Sequence, residues 1–104
     1  MAQYRAPQAA SAVVLVVESN ALRRAAKATE LRKEGFEVLE AADAAGAQAI
    51  LEATAVDVVF SDIYLIDGPA LAQWVEQRQP AIQFAWIINV ESDQPGLVRW
   101  AGRL

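Results

Sequence analysis

The stretch "VVFSDIYLIDG", residues 58–68, decides the fold: an apolar run rich in β-branched residues ends on an acid, Asp62, with a second acid, Asp67, just before Gly68. A short apolar run bounded by polar and turn-forming residues reads as a strand buried on both faces. A carboxylate at the mouth of such a strand is either a cap or a chemical group. Working outward, "AVVLVV" (12–17) is a second strand of the same kind, and it too ends on an acid, Glu18. "FEVLEA" (36–41) and "FAWIINV" (84–90) complete a set of four.

Between the strands the period changes. Leu22, Ala25, Ala26 and Thr29 recur at i, i+3, i+4 and i+7, which predicts an amphipathic helix with that face inward and Gly35 ending it. Arg23, Arg24, Lys27, Arg32 and Lys33 then read as its solvated side. Asp43 is placed to cap a second helix, whose inward residues are Ala47, Ile50, Leu51 and Thr54. Gly68-Pro69 opens a third, with Leu71, Trp74 and Val75 inward. The order β-α-β-α-β-α-β, with short links and no repeat, predicts an α/β domain: a doubly wound parallel sheet covered by helices on both faces. Residues 1–11 read as a flexible tail and 12–104 as one domain.

Composition limits the function. The 104 residues carry a net charge of −4 with the basic residues dispersed, which argues against nucleic acid as a partner. Cysteine and histidine are both absent, so thiol and imidazole chemistry and zinc sites go together, and only oxygen ligands remain. No apolar run is long enough to span a bilayer and residues 1–12 lack a signal-peptide core, so a cytoplasmic location is expected, away from membranes.

In an open α/β sheet, ligands bind beyond the carboxyl ends of the strands. If the first and third strands are neighbours, Glu18 and Asp62 meet there. At this point "VVLVVESN", "LRKEGFEVLEAADAAGAQAILE" and "VDVVFSDIYL" together resemble the receiver domain of two-component response regulators over about residues 12–100. The resemblance implies a flavodoxin/CheY-like strand order of 2-1-3-4 for the strands present, with the family's fifth strand and fifth helix missing from this sequence. It implies that Asp62 is the phosphoacceptor, that Glu18, Asp62 and the carbonyl of Tyr64 hold Mg2+, and that a histidine kinase is a partner, met in part through the first helix.

The sequence also departs from that pattern. Ser19 stands where the family has a second acid, so Mg2+ should bind weakly. No Thr follows Asp62, Ser92 is the last Ser, and no Lys follows Lys33, so the hydroxyl and the lysine that normally contact the phosphoryl group have no counterpart downstream. "IYLIDG" is shorter than the usual loop and lacks its Pro. These losses point to a degenerate receiver acting in phosphorelay signalling by protein–protein interaction, with weak or no phosphorylation of Asp62, and not to an enzyme. The alternative is a phosphohydrolase using Asp62 as nucleophile, for which Asp67 is the one nearby acid. A nucleotide or flavin binder would need a Gly- or hydroxyl-rich turn, and "ESNALRR" (18–24) is neither.

After the fourth strand only "ESDQPGLVRWAGRL" (91–104) remains. A short helix capped by Ser92 is the preferred reading. The second is a turn at Pro95-Gly96 with "LVRW" returning as an antiparallel strand. Either way no parallel fifth strand is available, and the fourth strand is expected to be an unprotected apolar edge. Phe84, Trp86, Ile88, Leu97 and Trp100 would then form an interaction surface for a homodimer, or for a heterodimer with a receiver-containing protein.

Overall fold

The computed structural model describes residues 12–90 and 97–102, with residues 89, 90 and 97–102 described as backbone only. The elements are β1 (Val13–Val17), α1 (Ala21–Lys33), β2 (Glu37–Ala41), α2 (Ala44–Ala53), β3 (Val58–Asp62), α3 (Gly68–Arg78), β4 (Gln83–Val90) and β5 (Leu97–Gly102). The sheet order is β2-β1-β3-β4-β5, parallel throughout except for the last pair. The expected 2-1-3-4 arrangement is therefore present. The tail at 1–11, Ser92 and the Pro95-Gly96 pair lie outside the described residues.

The two faces of the sheet bury different sets. Leu15, Val17, Val59, Phe84 and Trp86 pack with Leu51 of α2 and with Leu71 and Val75 of α3. Val14, Val16, Val38, Phe60, Ala85 and Ile87 pack with Ala28 of α1, and Leu31 closes over them. Strand alternation explains the partition, since successive residues point to opposite faces. Burying a Leu or Val side chain fully contributes about 1.5–3 kcal/mol, so these two layers hold the sheet.

Local chemistry sets the boundaries. Asn20 caps α1 by accepting from the Arg23 N–H at 2.9 Å, and Asp43 caps α2 by accepting from the Gly46 N–H at 2.8 Å. Gly35, with φ of 100°, ends α1. Its N–H donates to the Arg32 carbonyl and the Phe36 N–H to that of Leu31, which is the Schellman pattern and needs a left-handed residue. Gly68 packs closely: a Cβ there would lie 3.0 Å from the Trp86 ring and press against it.

Two expectations are corrected. The segment 97–102 is a strand antiparallel to β4, with Val90 opposite Leu97 and Ile87 opposite Trp100, and not a helix. A long apolar edge is the stronger demand on this segment, and "LVRWAG", with its β-branched and aromatic residues, suits a ladder. β4 is thus interior to the sheet. Phe84 and Trp86, expected at an open edge, are buried under α2 and α3, their rings meeting edge-to-face at 5.1 Å; Ile88 is half-buried. The side chains of Leu97 and Trp100 are outside the described set. The second correction concerns α1. Leu22, Ala25, Ala26 and Thr29 are exposed, and Lys27 and Ala28 are the buried residues.

Candidate functional site

Parallel pairing of β1 with β3 sets Val17 beside Ser61, so Glu18 and Asp62, one residue further on, emerge side by side at the carboxyl edge. They continue the alternation of Val14, Val16 and of Phe60, which places both on the α1 side of the sheet. Both are enclosed, with exposures of 0% for Glu18 and 3% for Asp62. The juxtaposition expected from sequence is present.

What surrounds the pair is cationic. The Glu18 carboxylate accepts from the Asn20 N–H at 2.9 Å, and its other oxygen is 3.6 Å from Arg23 Nε. Arg24 donates to the Glu18 carbonyl at 2.8 Å and reaches Glu40, which also pairs with Arg32 at 3.2 Å. Lys27, one turn beyond Arg23, is only 6% exposed. The basic residues of α1 are therefore only in part the solvated face the sequence suggested: Arg32 and Lys33 are exposed, Arg23 and Arg24 are half-buried and Lys27 is buried, with Arg23 turned to Glu18 and Arg24 and Arg32 to Glu40. Burial pulls the Lys27 ammonium below its ordinary pKa, opposed first by Glu18 and then by Asp62.

Burial pushes the Asp62 carboxyl above the usual carboxylate range. The Tyr64 N–H, donating to Asp62 Oδ1 at 3.3 Å, opposes this, Glu18 adds to it, and Arg23 and Lys27 oppose it. Tyr64 itself projects outward at 78% exposure, between the exposed Ile63 and Ile66. Asp67 is committed elsewhere, its Oδ2 accepting from the Ala44 N–H at the start of α2 at 3.2 Å. This ties the β3–α3 loop to a helix N-terminus.

The donor set does not suit Mg2+. That ion takes six oxygens in near-ideal octahedral geometry and usually keeps several waters. Here the two carboxylates are enclosed, a backbone N–H occupies each, Ser19 is exposed and neutral, and two cations stand beside them. Among the described residues no group of three acids that could hold a metal is present.

The family model of the response regulator receiver domain matches residues 14–99. The chain belongs to the response regulator receiver family. Solved receivers share the fold. A response regulator receiver protein from Pseudomonas putida aligns at 21% identity with a TM-score of 0.70, covering 79% of this chain and 71% of that one. The chemotaxis response regulator CheY4 of Vibrio cholerae aligns at 24% identity with a TM-score of 0.70, over 79% and 72%. The signal receiver domain of an HD domain-containing protein from Pseudomonas fluorescens Pf-5 aligns at 26% identity and 0.67, over 72% of this chain and 57% of that one. No curated protein matches the chain.

Membership in this family implies a role in two-component signalling, in which receivers interact with histidine kinases and with other receivers and typically act as signalling modules without an enzymatic activity of their own. Among the described residues, no helix is long and apolar enough to cross a membrane. Sequence reading found both acids of the site but missed Lys27. The available signal was its i, i+4 spacing from Arg23, set beside two acids in need of countercharge.

Proposed function

We propose that this receiver is degenerate: it works by binding another protein of its signalling system, a histidine kinase or a receiver-containing protein, with weak or no phosphorylation at Asp62. The observation that carries this reading is the enclosure of Asp62 beside Glu18, Arg23 and Lys27, which leaves its carboxylate poorly placed to attack a phosphoryl donor. Ser19 in place of an acid, and Ile88, Asn89 and Val90 with no hydroxyl at the end of β4, support it.

The same edge supports the interaction half of the proposal. Leu22, Ile63, Tyr64 and Ile66 are exposed, at 83% for Leu22 and 98% for Ile66. Apolar side chains next to a buried charge set offer a contact surface for a protein partner. The dimer expected through an open β4 edge loses its basis there, because β5 covers that edge.

Incubation with acetyl phosphate and Mg2+, followed by intact-mass measurement, tests the reading. The expected result is little or no phosphoryl adduct, matching an Asp62→Asn control. Stoichiometric labelling of the wild type that the control lacks overturns the degeneracy.

A further inference from the structure

Two carboxylates placed side by side in an enclosed edge require positive charge nearby, since burying like charges together without compensation is strongly unfavourable. That charge can come from a bound ion or from the chain. β1 and β3 send Glu18 and Asp62 onto the sheet face that packs under α1. Among the described residues, α1 is the only helix contributing to that layer, through Ala28 and Leu31. Lys27 precedes Ala28 and is buried with it. Lysine is almost never so enclosed unless it is paired. Arg23 and Lys27 sit at i and i+4, hence on one face of the helix, and Arg23 already reaches the Glu18 carboxylate.

We propose that Lys27, seconded by Arg23, is the built-in cation of this site: the chain itself balances the Glu18–Asp62 pair and thereby excludes a divalent ion. The inference rests on the pair being the site described under the proposed function. Two acids face two cations, so an added divalent ion would bring an excess of positive charge into an enclosed region. Burial opposes the ammonium of Lys27, and Glu18 and then Asp62 favour it. The helix rotation that exposes Leu22 is the structural counterpart: α1 buries a lysine and leaves an apolar face in solvent.

Mn2+ binding by the full chain, read from the electron paramagnetic resonance of the free ion, tests the inference. The wild type is expected to leave millimolar Mn2+ free. Lys27→Met is expected to bind it at least roughly tenfold more tightly, because one opposing charge is removed from beside the carboxylates. Lys27→Arg should exclude the ion as the wild type does, and Lys27→Met combined with Asp62→Asn should lose the gain. Mn2+ binding by the wild type, or no gain in Lys27→Met, overturns the inference. Should Lys27→Met fail to fold, adding Glu18→Gln and Asp62→Asn restores folding if Lys27 serves the acids; continued failure overturns the inference. None of these readings depends on phosphoryl transfer, so they separate from the labelling result.

Discussion

Helices α1 and α2 start from the same design and end differently. Each is capped by a side chain accepting from the N–H three residues on, and each carries apolar residues at helical spacing. α2 buries most of what that spacing predicts: Ala47 and Leu51 are buried and Ile50 is half-buried, while Thr54, at the end of the helix, is exposed. α1 does the opposite, exposing Leu22, Ala25 and Ala26 and burying Lys27. One residue of a helix is about 100° of rotation, so the displacement from residue 26 to residue 27 is enough to change which face meets the sheet. Spacing shows which face of a helix is apolar; the surface beneath decides which face is buried. Under α2 lies an apolar layer with Leu15, Val17 and Val59; α1 also covers an apolar layer, through Ala28 and Leu31, but its first turns meet the acids that end β1 and β3.

The largest effects should expose this contrast directly. Leu51→Ala removes a buried side chain wedged between the sheet and α3, and should lower stability by about 2–5 kcal/mol. Leu22→Ala, nearly isolated in solvent, should change it by no more than about 0.5 kcal/mol. Urea unfolding of the two variants beside wild type measures both. Comparable losses would mean that α1 buries its apolar stripe after all.

The same contrast separates what could be read from sequence from what could not. β1, β3 and β4 are near-continuous apolar runs because both faces of each are covered, and that pattern has no helical rival in so short a segment. Asp43 as a cap, Gly35 as a stop and Pro69 in the first turn of α3 are local signals that need no tertiary knowledge. The edge position of Glu18 and Asp62 followed from strand ends plus neighbouring order. The rotation of α1 was not legible because alanine buries little area, so its two candidate faces differ by too little to decide. A helical lysine is ordinarily solvated, and only the acids beneath, set there by β1–β3 pairing, reverse that for Lys27. The direction of 97–102 was likewise open, since its residues suit a helix or a strand, and pairing with β4 meets the backbone hydrogen bonds of that strand.

An intermediate effect is expected at the first residues of α1. Asn20 makes two connections at once: its side chain accepts from Arg23, and its N–H donates to Glu18. Asn20→Ala keeps the second and loses the first, which should cost about 1 kcal/mol. Asp43→Ala at the matching position of α2 should cost a similar amount by thermal unfolding, although neither variant touches the core. A much larger loss at Asn20 alone would mean that the cap also seats Arg23 against Glu18, linking the rotation of α1 to the acid pair more tightly than the contrast with α2 requires.

The smallest effect concerns pH. Burial raises the Asp62 carboxyl above its ordinary value of 3.8, while the Tyr64 N–H, Arg23 and Lys27 offset part of that rise. A carboxyl with a raised folded value binds its proton more tightly folded than unfolded, so stability falls as pH climbs from the unfolded value through the folded one. Above that window the penalty is present in full; below 3.8 it is absent. Asp62→Asn removes the ionisable group at nearly constant shape. It should therefore be more stable than wild type at about pH 7, with the difference vanishing below about pH 3.5. Denaturant midpoints at the two pH values check the sign. A variant less stable than wild type at neutral pH would mean that the cations of α1 attract Asp62 by more than its enclosure penalises it, so that the charged carboxylate strengthens this edge of the sheet where α1 packs.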